Sequence, residues 1–172
     1  MILSLLQMLW DRGEPNGYAR RMTSNPLPDT PAHTVLLGAA VGDHQVSNWM
    51  TDVEARTIGA SAHDPVVDPG RWPDTDVLWN VPRINSYPFG GSVVFYTDFG
   101  PVRPDPSDPS ETIGTPPAPL RNVPNRVGED PHGAPRGIPN GLAEVSNFLQ
   151  TDGAVLNLCG PKPCYGGGWT GL

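Results

Sequence analysis

The sequence predicts an α/β fold built on a parallel sheet, with long loops rich in Pro and Gly. Two apolar runs, HTVLLGAAV at 33–41 and GSVVFYTDFG at 91–100, are bounded by turn residues, as the buried strands of a parallel sheet are. Patterns typical of helices alternate with these runs, which favours parallel strands joined by helical connections. The 22 Pro and 20 Gly among 172 residues predict the long loops.

The chain begins with an apolar stretch, MILSLLQMLW, that predicts an amphipathic helix. Ile2, Leu5, Leu6 and Leu9 recur every three or four residues and would share one face. The stretch has neither the basic start nor the small-residue cleavage site of a signal peptide, and it is too short to span a bilayer. We expect this helix to continue a fold whose beginning lies elsewhere. Residues 11–33 contain many turn residues and predict a loop.

Two further helices are predicted, one after each strand. The stretch SNWMTDVEARTIGA begins at a capping residue, Ser47 or Asn48, and ends at Gly59. Its inward stripe is predicted to hold Val46, Met50, Val53 and Thr57 or Ile58. A loop at 101–139 then leads to IPNGLAEVSNFLQTDG, which predicts a helix ending before Gly153. Its inward residues are predicted to be Leu142, Val145, Phe148 and Leu149.

The charge of the chain argues against two classes of partner. Eleven basic residues, of which Lys162 is the one Lys, stand against 18 acidic residues, giving a formal net charge of −7. No basic run is present to neutralise phosphates, which excludes nucleic acid as a natural partner. The negative charge also opposes attraction to anionic membrane surfaces.

Cys159 and Cys164 are separated by four residues, in LNLCGPKPCYGGG, where Gly and Pro predict a tight loop. A local disulfide is therefore feasible and would indicate an oxidising compartment, secreted or periplasmic. Two free thiols are the alternative. A metal site would need two further ligands, which the neighbouring sequence does not supply.

Asp43 follows the first predicted strand directly, and a helix starts a few residues later. This order places Asp43 at the carboxyl end of a parallel strand, where open α/β sheets gather their catalytic groups. In GAAVGDHQVSNW the chain resembles the α/β-hydrolase family, whose catalytic acid follows a late strand, with Asp43 as the acid and Val46 three residues later. The resemblance implies a histidine after the next strand and before the last helix, which is His132 in EDPHGAPRGIPNGLAEVSNFL.

The resemblance covers residues 1–155, the C-terminal part of a hydrolase domain, and leaves 156–172 as a tail rich in Cys and Gly. It implies that His132 is a general base, that Asp43 orients it, and that the substrate is a small ester. It implies no metal and no organic cofactor. Because hydrolases place a serine in a G-x-S-x-G elbow before the acid, and none is present here, another chain or an N-terminal portion would supply it and complete the sheet. The nearest string, GASAH around Ser61, lies after the acid and follows a helix.

Each candidate residue also has a simpler interpretation. Asp43 can cap the helix that follows it, and His132 can be an exposed loop residue. His44 is a second candidate for the base, whereas His33 and His63 are expected at the surface. Asp105, Asp108 and Glu111 offer oxygen ligands for calcium without the spacing of an EF-hand.

Two open questions concern the whole chain. The aromatic residues at 72–96 either line an acyl pocket or pack in the core. The chain itself is either the acid–base segment of a serine hydrolase or a non-catalytic interaction or structural module derived from one. The strand edges of such a module would associate with a second copy or with another protein. A third alternative is an extracellular scaffold rich in Pro and Gly.

Overall fold

The computed structural model describes residues 2–73, 78–119 and 123–172. Four α-helices, one 3₁₀ helix and six short strands follow one another along these residues. In chain order they are α1 (Ile2–Trp10), α2 (Pro15–Met22), β1 (Leu36–Ala40), α3 (Asn48–Ile58), β2 (Ser61–Ala62), β3 (Val93–Asp98), β4 (Arg103–Pro104), β5 (Thr112–Ile113), the 3₁₀ helix (Ala134–Gly137), α4 (Pro139–Phe148) and β6 (Cys164–Tyr165).

The main sheet is parallel and centred on β3, which confirms the predicted α/β class. β1 pairs along one side of β3, from Leu36 opposite Val93 to Ala40 opposite Thr97. β2 pairs with the first two residues of β3 on the other side, and β6 pairs with its last two. All six residues of β3 are buried, because apolar groups cover both faces of the sheet.

β1 forms one edge of this sheet. Within residues 2–73, 78–119 and 123–172, no strand pairs with the side of β1 that faces away from β3. Leu36 and Leu37 are therefore only half-buried and Gly38 is exposed, although a strand buried throughout was predicted. The two leucines do pack on opposite faces of the sheet, Leu36 beside Val93 and Leu37 beside Val94, as alternation along a strand requires.

Helix α3 is where the sequence predicts it, but it turns a different face inward. Its buried residues are Asn48, Asp52, Ala55 and Ile58. Two of these are polar and are satisfied inside, since Asn48 bonds backbone groups of the preceding turn and Asp52 accepts a 2.7 Å hydrogen bond from the Tyr96 hydroxyl. The predicted stripe through Val46, Met50 and Val53 is therefore wrong, although Ile58 at its end is buried as predicted. Gly59 ends the helix in the left-handed conformation, as predicted.

The two N-terminal helices differ from expectation in different ways. α1 forms as predicted, yet its apolar side chains are exposed, with Leu3 at 80 % and Trp10 at 61 %. No part of α1 is buried by the described residues. α2 lies in a region predicted to be a loop, and it begins at Pro15, a residue favoured in the first helical turn. Ala19 of α2 is fully buried in the core.

Helix α4 is also correctly predicted in position and incorrectly in orientation. Leu142, Val145 and Leu149 are exposed, whereas Gly141 and Glu144 are buried. Phe148 is the one predicted inward residue that packs on the core. Gly141 is buried because Pro135 O lies 2.1 Å from where its Cβ would be, so a larger residue would not fit there.

The predicted loop at 101–139 contains some regular structure of its own. β4 and β5 form a small antiparallel pair, and the 3₁₀ helix precedes α4 directly. Residues 120–122 of this loop lie outside the described residues. The tail at 156–172 carries β6, and a disulfide joins Cys159 to Cys164, which confirms the predicted pairing of the two cysteines.

Candidate functional site

Asp43 lies in a tight turn just beyond the carboxyl end of β1. Gly42 makes the turn with a φ of 76°, and a Cβ there would come within 2.6 Å of Pro116 O, so glycine is needed at this position. Asn48 holds the turn together because its side chain accepts from Gly42 N and donates to Ala40 O, at 2.8 and 2.7 Å. The Asp43 side chain is consequently fixed, and only 5 % of the residue is exposed.

The two carboxylate oxygens of Asp43 have separate partners. Oδ1 accepts the backbone N–H groups of Gln45 and Val46, at 2.7 and 2.9 Å. Oδ2 lies 2.9 Å from Nδ1 of His132. Asp43 therefore stabilises the loop before α3 and at the same time holds an imidazole. It does not cap α3, because the N-cap is Ser47 and both bonded N–H groups precede the helix.

His132 approaches Asp43 from the loop that precedes the 3₁₀ helix. Its backbone N–H donates to Asp130 Oδ1 at 3.0 Å, and its side chain is 30 % exposed. The other oxygen of Asp130 accepts a 2.9 Å hydrogen bond from the Gln45 side chain. Gln45 and Asp130 thus join the loop of the acid to the loop of the histidine, a link with no recognisable signal in the sequence.

The charge on Asp130 is favoured by the same hydrogen bonds. Slight burial acts to raise its pKa, but the donors outweigh it: the Gln45 side chain, the His132 backbone N–H and nearby His44 together bring the pKa below its ordinary value. Asp130 is therefore a carboxylate at neutral pH and accepts from both sides of the site.

The pairing of Asp43 with His132 determines what the imidazole can do. A carboxylate at Nδ1 favours the tautomer with a proton on that nitrogen, which leaves the lone pair on Nε2. Among the described residues, no group forms a hydrogen bond with His132 Nε2. This nitrogen is therefore available to accept a proton from a bound molecule.

A concave surface of about 360 Å³ adjoins the pair at the open edge of the sheet. It is lined by residues 36–39 of β1, by Asp43 and His132, and by Thr51, Glu54 and Arg136 among others. The imidazole and the unpaired edge of β1 therefore face the same space.

The structure does not bring Ser61 to this site. Ser61 is on β2 and aligns with Val93, the first residue of β3, whereas β1 reaches Thr97 before Asp43 follows. The two ends are separated by four residues, or roughly 13 Å along the strand. Ser61 therefore lies toward the opposite end of the sheet from the pair.

The other three histidines are located elsewhere. His44 Nε2 lies 3.2 Å from Val127 O, so its ring contacts a loop carbonyl instead of Asp43. His33 is exposed, as expected. His63, also expected at the surface, is buried, with 7 % exposed, because Tyr87 and the Lys162 carbonyl enclose its ring.

Two further alternatives from the sequence have simple structural explanations. Asp105 and Asp108 each accept hydrogen bonds from a serine two residues later, Ser107 and Ser110, and these bonds lower the pKa of both carboxyls. They serve local turns at an exposed surface.

Among the aromatic residues, Trp72 packs edge-to-face on Tyr96 in the core, with ring centres 5.0 Å apart, whereas Trp79 is exposed.

Comparison with known proteins adds no relative. No protein-family model matches the chain, and no curated protein or solved structure is significantly similar to it. No helix in the part of the chain that the structure describes has the length and hydropathy needed to cross a membrane.

Proposed function

We propose that this chain is the C-terminal segment of a serine hydrolase of the α/β-hydrolase type, which cleaves small esters. Asp43 and His132 supply the acid and the base of a Ser-His-Asp triad. The observation that carries the proposal is the 2.9 Å contact between Asp43 Oδ2 and His132 Nδ1, with Nε2 directed to no other group among the described residues. The two residues also follow neighbouring parallel strands, β1 and β3, in the order acid then histidine.

The serine is proposed to come from a portion of protein that adds to the free edge of β1. Support for this comes from the unpaired side of β1 and from the 360 Å³ concave surface beside it, which His132 lines. An unpaired strand edge is a template for another strand. The exposed apolar side chains of α1, including Ile2, Leu3 and Trp10, offer further surface that such a portion would cover.

In the proposed reaction, His132 Nε2 takes the proton of the serine hydroxyl as the serine oxygen attacks the ester carbonyl. The imidazolium that forms is stabilised by the Asp43 carboxylate at Nδ1. His132 then donates this proton to the departing alcohol, which leaves an acyl-enzyme. In the second half, His132 takes a proton from water as the water oxygen attacks the acyl carbonyl. His132 then returns this proton to the serine oxygen as the acid is released.

The proposed location is outside the cytosol, secreted or periplasmic. Its support is the Cys159–Cys164 disulfide, a bond that persists in oxidising compartments.

A non-catalytic role as an interaction module is the second candidate. It is favoured by one specific observation: no hydroxyl of the described residues forms a hydrogen bond with His132, and Ser61 lies toward the other end of the sheet. In that case the β1 edge would pair with another protein without completing a triad.

Ester hydrolysis by the native assembly distinguishes the two roles. Replacing His132 by Ala should lower kcat by more than about 1,000-fold, and Asp43→Asn by about 10⁴-fold, because the tautomer of the base is lost. His33→Ala is the matched control, since His33 is an exposed histidine that makes no contact with Asp43, His132, Gln45 or Asp130 among the described hydrogen bonds. Its activity should match that of the unaltered protein. Hydrolysis that survives in His132→Ala, or an assembly with no esterase activity, would favour the module.

A further inference from the structure

A buried histidine lies against the disulfide on the far side of β3 from β1. The ligand atoms of His63, Cys159 and Cys164 all lie within 4.8 Å of one another. His63 and Cys164 are both buried, at 7 % exposure each. His63 is 96 residues or more from the cysteines in the chain, so the nearby sequence around the cysteines could not reveal it. None of these residues belongs to the Asp43–His132 pair.

We propose that, once the disulfide is reduced, His63, Cys159 and Cys164 bind a thiophilic divalent cation such as Zn²⁺. Two thiolates and one imidazole are a ligand set that Zn²⁺ prefers, with a fourth tetrahedral position for water. The disulfide and the metal are thus alternative ways of linking the same two sulfur atoms.

Both cysteines have supports that do not depend on the disulfide. Cys164 lies on β6 and pairs with Thr97 at the end of β3. Cys159 follows Leu158, whose carbonyl accepts a hydrogen bond from the Asn140 side chain of α4. Reduction therefore separates the sulfur atoms without releasing either residue from the fold, and the two thiols stay beside His63.

The surroundings of His63 suit this exchange. In the disulfide form, Nε2 lies 2.9 Å from the carbonyl of Lys162, a residue inside the Cys159–Cys164 loop, and Nδ1 lies 2.8 Å from the Tyr87 hydroxyl. Opening the loop allows the Lys162 carbonyl to move away from Nε2. Nε2 then binds the metal while Nδ1 carries the proton and donates it to the Tyr87 oxygen, as the second nitrogen of a metal-binding histidine commonly does.

There is also space for the fourth ligand. A small cavity of about 20 Å³ is bounded by His63, Tyr87, Glu144 and the two cysteines. This is enough for one water molecule. Two thiolates balance the two charges of Zn²⁺, so the buried site is close to neutral, and any charge on Glu144 would favour the cation further.

The chemistry balances with a reductant in solution. A phosphine transfers two electrons to the disulfide and takes the oxygen of one water molecule to become its oxide, while the two protons of that water complete the thiols. A dithiol in the compartment of this chain would supply both the electrons and the protons. The two thiols release their protons to solvent when the metal binds.

Cobalt(II) titration of the full chain tests the site. After anaerobic reduction with a phosphine, added Co²⁺ should give thiolate-to-cobalt charge-transfer absorption and the intense visible bands of tetrahedral cobalt, and Zn²⁺ should abolish both. The oxidised chain should give neither. A reduced chain that shows only the weak bands of six-coordinate cobalt would overturn the proposal.

Variants and ligand counting make the test specific. His63→Ala should weaken cobalt binding by about 100-fold or more, and Tyr87→Phe by about 10-fold, as is typical when a group that orients a ligand is lost. His33→Ala, which replaces an exposed histidine, should bind as the unaltered chain does. X-ray absorption of the unaltered, reduced, zinc-loaded chain should show two sulfur ligands and one imidazole. This measurement does not depend on how the variants fold, and a shell of oxygen and nitrogen alone would reject the site.

Discussion

His132 Nδ1 lies 2.9 Å from Asp43 Oδ2, although 89 residues separate the two in the chain. Asp43 lies three residues beyond the end of β1, and the 3₁₀ helix that follows His132 contacts β1, so both side chains reach the same edge of the sheet. Gln45 and Asp130 join the two loops a second time, through a 2.9 Å hydrogen bond. The pair is therefore held by the backbone turn at Gly42 on one side and by a side-chain link on the other.

Asp43 should contribute to stability as well as to chemistry. Asp43→Ala leaves the N–H groups of Gln45 and Val46 without their acceptor, and should cost about 2 kcal/mol of unfolding free energy in urea denaturation. Asp43→Asn keeps an acceptor oxygen and should cost clearly less. Glu129→Ala, at an exposed position in the loop that precedes His132, serves as the control and should leave stability unchanged. Equal losses for Ala and Asn would contradict the assignment of Oδ1 to the backbone.

Breaking the buried ion pair between Arg71 and Asp98 should lower the free energy of unfolding strongly. Arg71 donates to both carboxylate oxygens of Asp98, at 2.7 to 3.1 Å, and the side chains are 4 % and 0 % exposed. Arg71→Met should therefore lower the unfolding free energy by about 3–5 kcal/mol, since it leaves a buried carboxylate unpaired. The half-exposed pair of Arg83 with Asp64 is the comparison.

Asp64→Asn, which removes that second pair, should cost less than about 1 kcal/mol. Both variants can be measured by chemical denaturation at neutral pH. A loss below about 1 kcal/mol for Arg71→Met would mean that the buried pair is not held as the structure has it.

Reducing the disulfide should destabilise the chain moderately. The bond joins residues five apart. Closing so short a loop lowers the entropy of the unfolded chain, which stabilises the folded state by about 2 kcal/mol. Denaturation with and without a phosphine, in the presence of a metal chelator, measures the difference. The mass of the unreduced chain should also be lower by two hydrogen atoms. A mass that reduction leaves unchanged would show that the bond is absent.

Glu144 should make stability depend on pH. Its Oε1 accepts the Leu156 N–H at 2.9 Å, and burial raises the pKa of its carboxyl above the value of 4.5 for the free group. Below pH 4.5 the group is protonated in the folded and the unfolded chain alike. As the pH rises through that value, the unfolded chain loses its proton first, so the free energy of unfolding falls. The fall stops once the pH passes the raised pKa of the folded chain, because both states are then ionised.

Glu144→Gln removes the charge and keeps the acceptor. We therefore expect the variant to be more stable than the unaltered chain at pH 7, with the gain disappearing near pH 4. Urea denaturation of both proteins at the two pH values gives the comparison. A difference that is the same at both pH values would show that ionisation of Glu144 plays no part.

The main strands and helices could be predicted because their patterns are long. β3 is a run of β-branched and aromatic residues between glycines, and Gly59 ends α3 as a glycine in the left-handed region does. β2 and β6 are two residues each and owe their pairing to β3, so no local pattern could reveal them. α2 contains Pro15 and Gly17 close together, and this local sequence favours a turn. The helix forms because packing of Ala19 in the core outweighs that local preference.

The orientation of the helices was the harder part. Periodicity places apolar residues inward, yet α3 turns Asn48 and Asp52 into the protein, where each forms buried hydrogen bonds. In α4 the small size of Gly141 allows close packing on Pro135 and turns Leu142 outward. At the candidate site, the resemblance to the α/β-hydrolase family implied Asp43 and His132 from their places in the chain order. The roles of Gln45 and Asp130 depend on where two distant loops meet, which the sequence does not encode locally.

The most direct test of the proposed triad is the mass of the native assembly after treatment with a fluorophosphonate, a reagent that labels activated serines. We expect an assembly heavier than the 18.4 kDa chain, carrying one phosphonyl group on a serine of the portion that completes the sheet, and no label when His132 is replaced by Ala. An unlabelled 18.4 kDa monomer, or a multiple of that mass, would contradict the proposal and leave Asp43 and His132 as a structural pair.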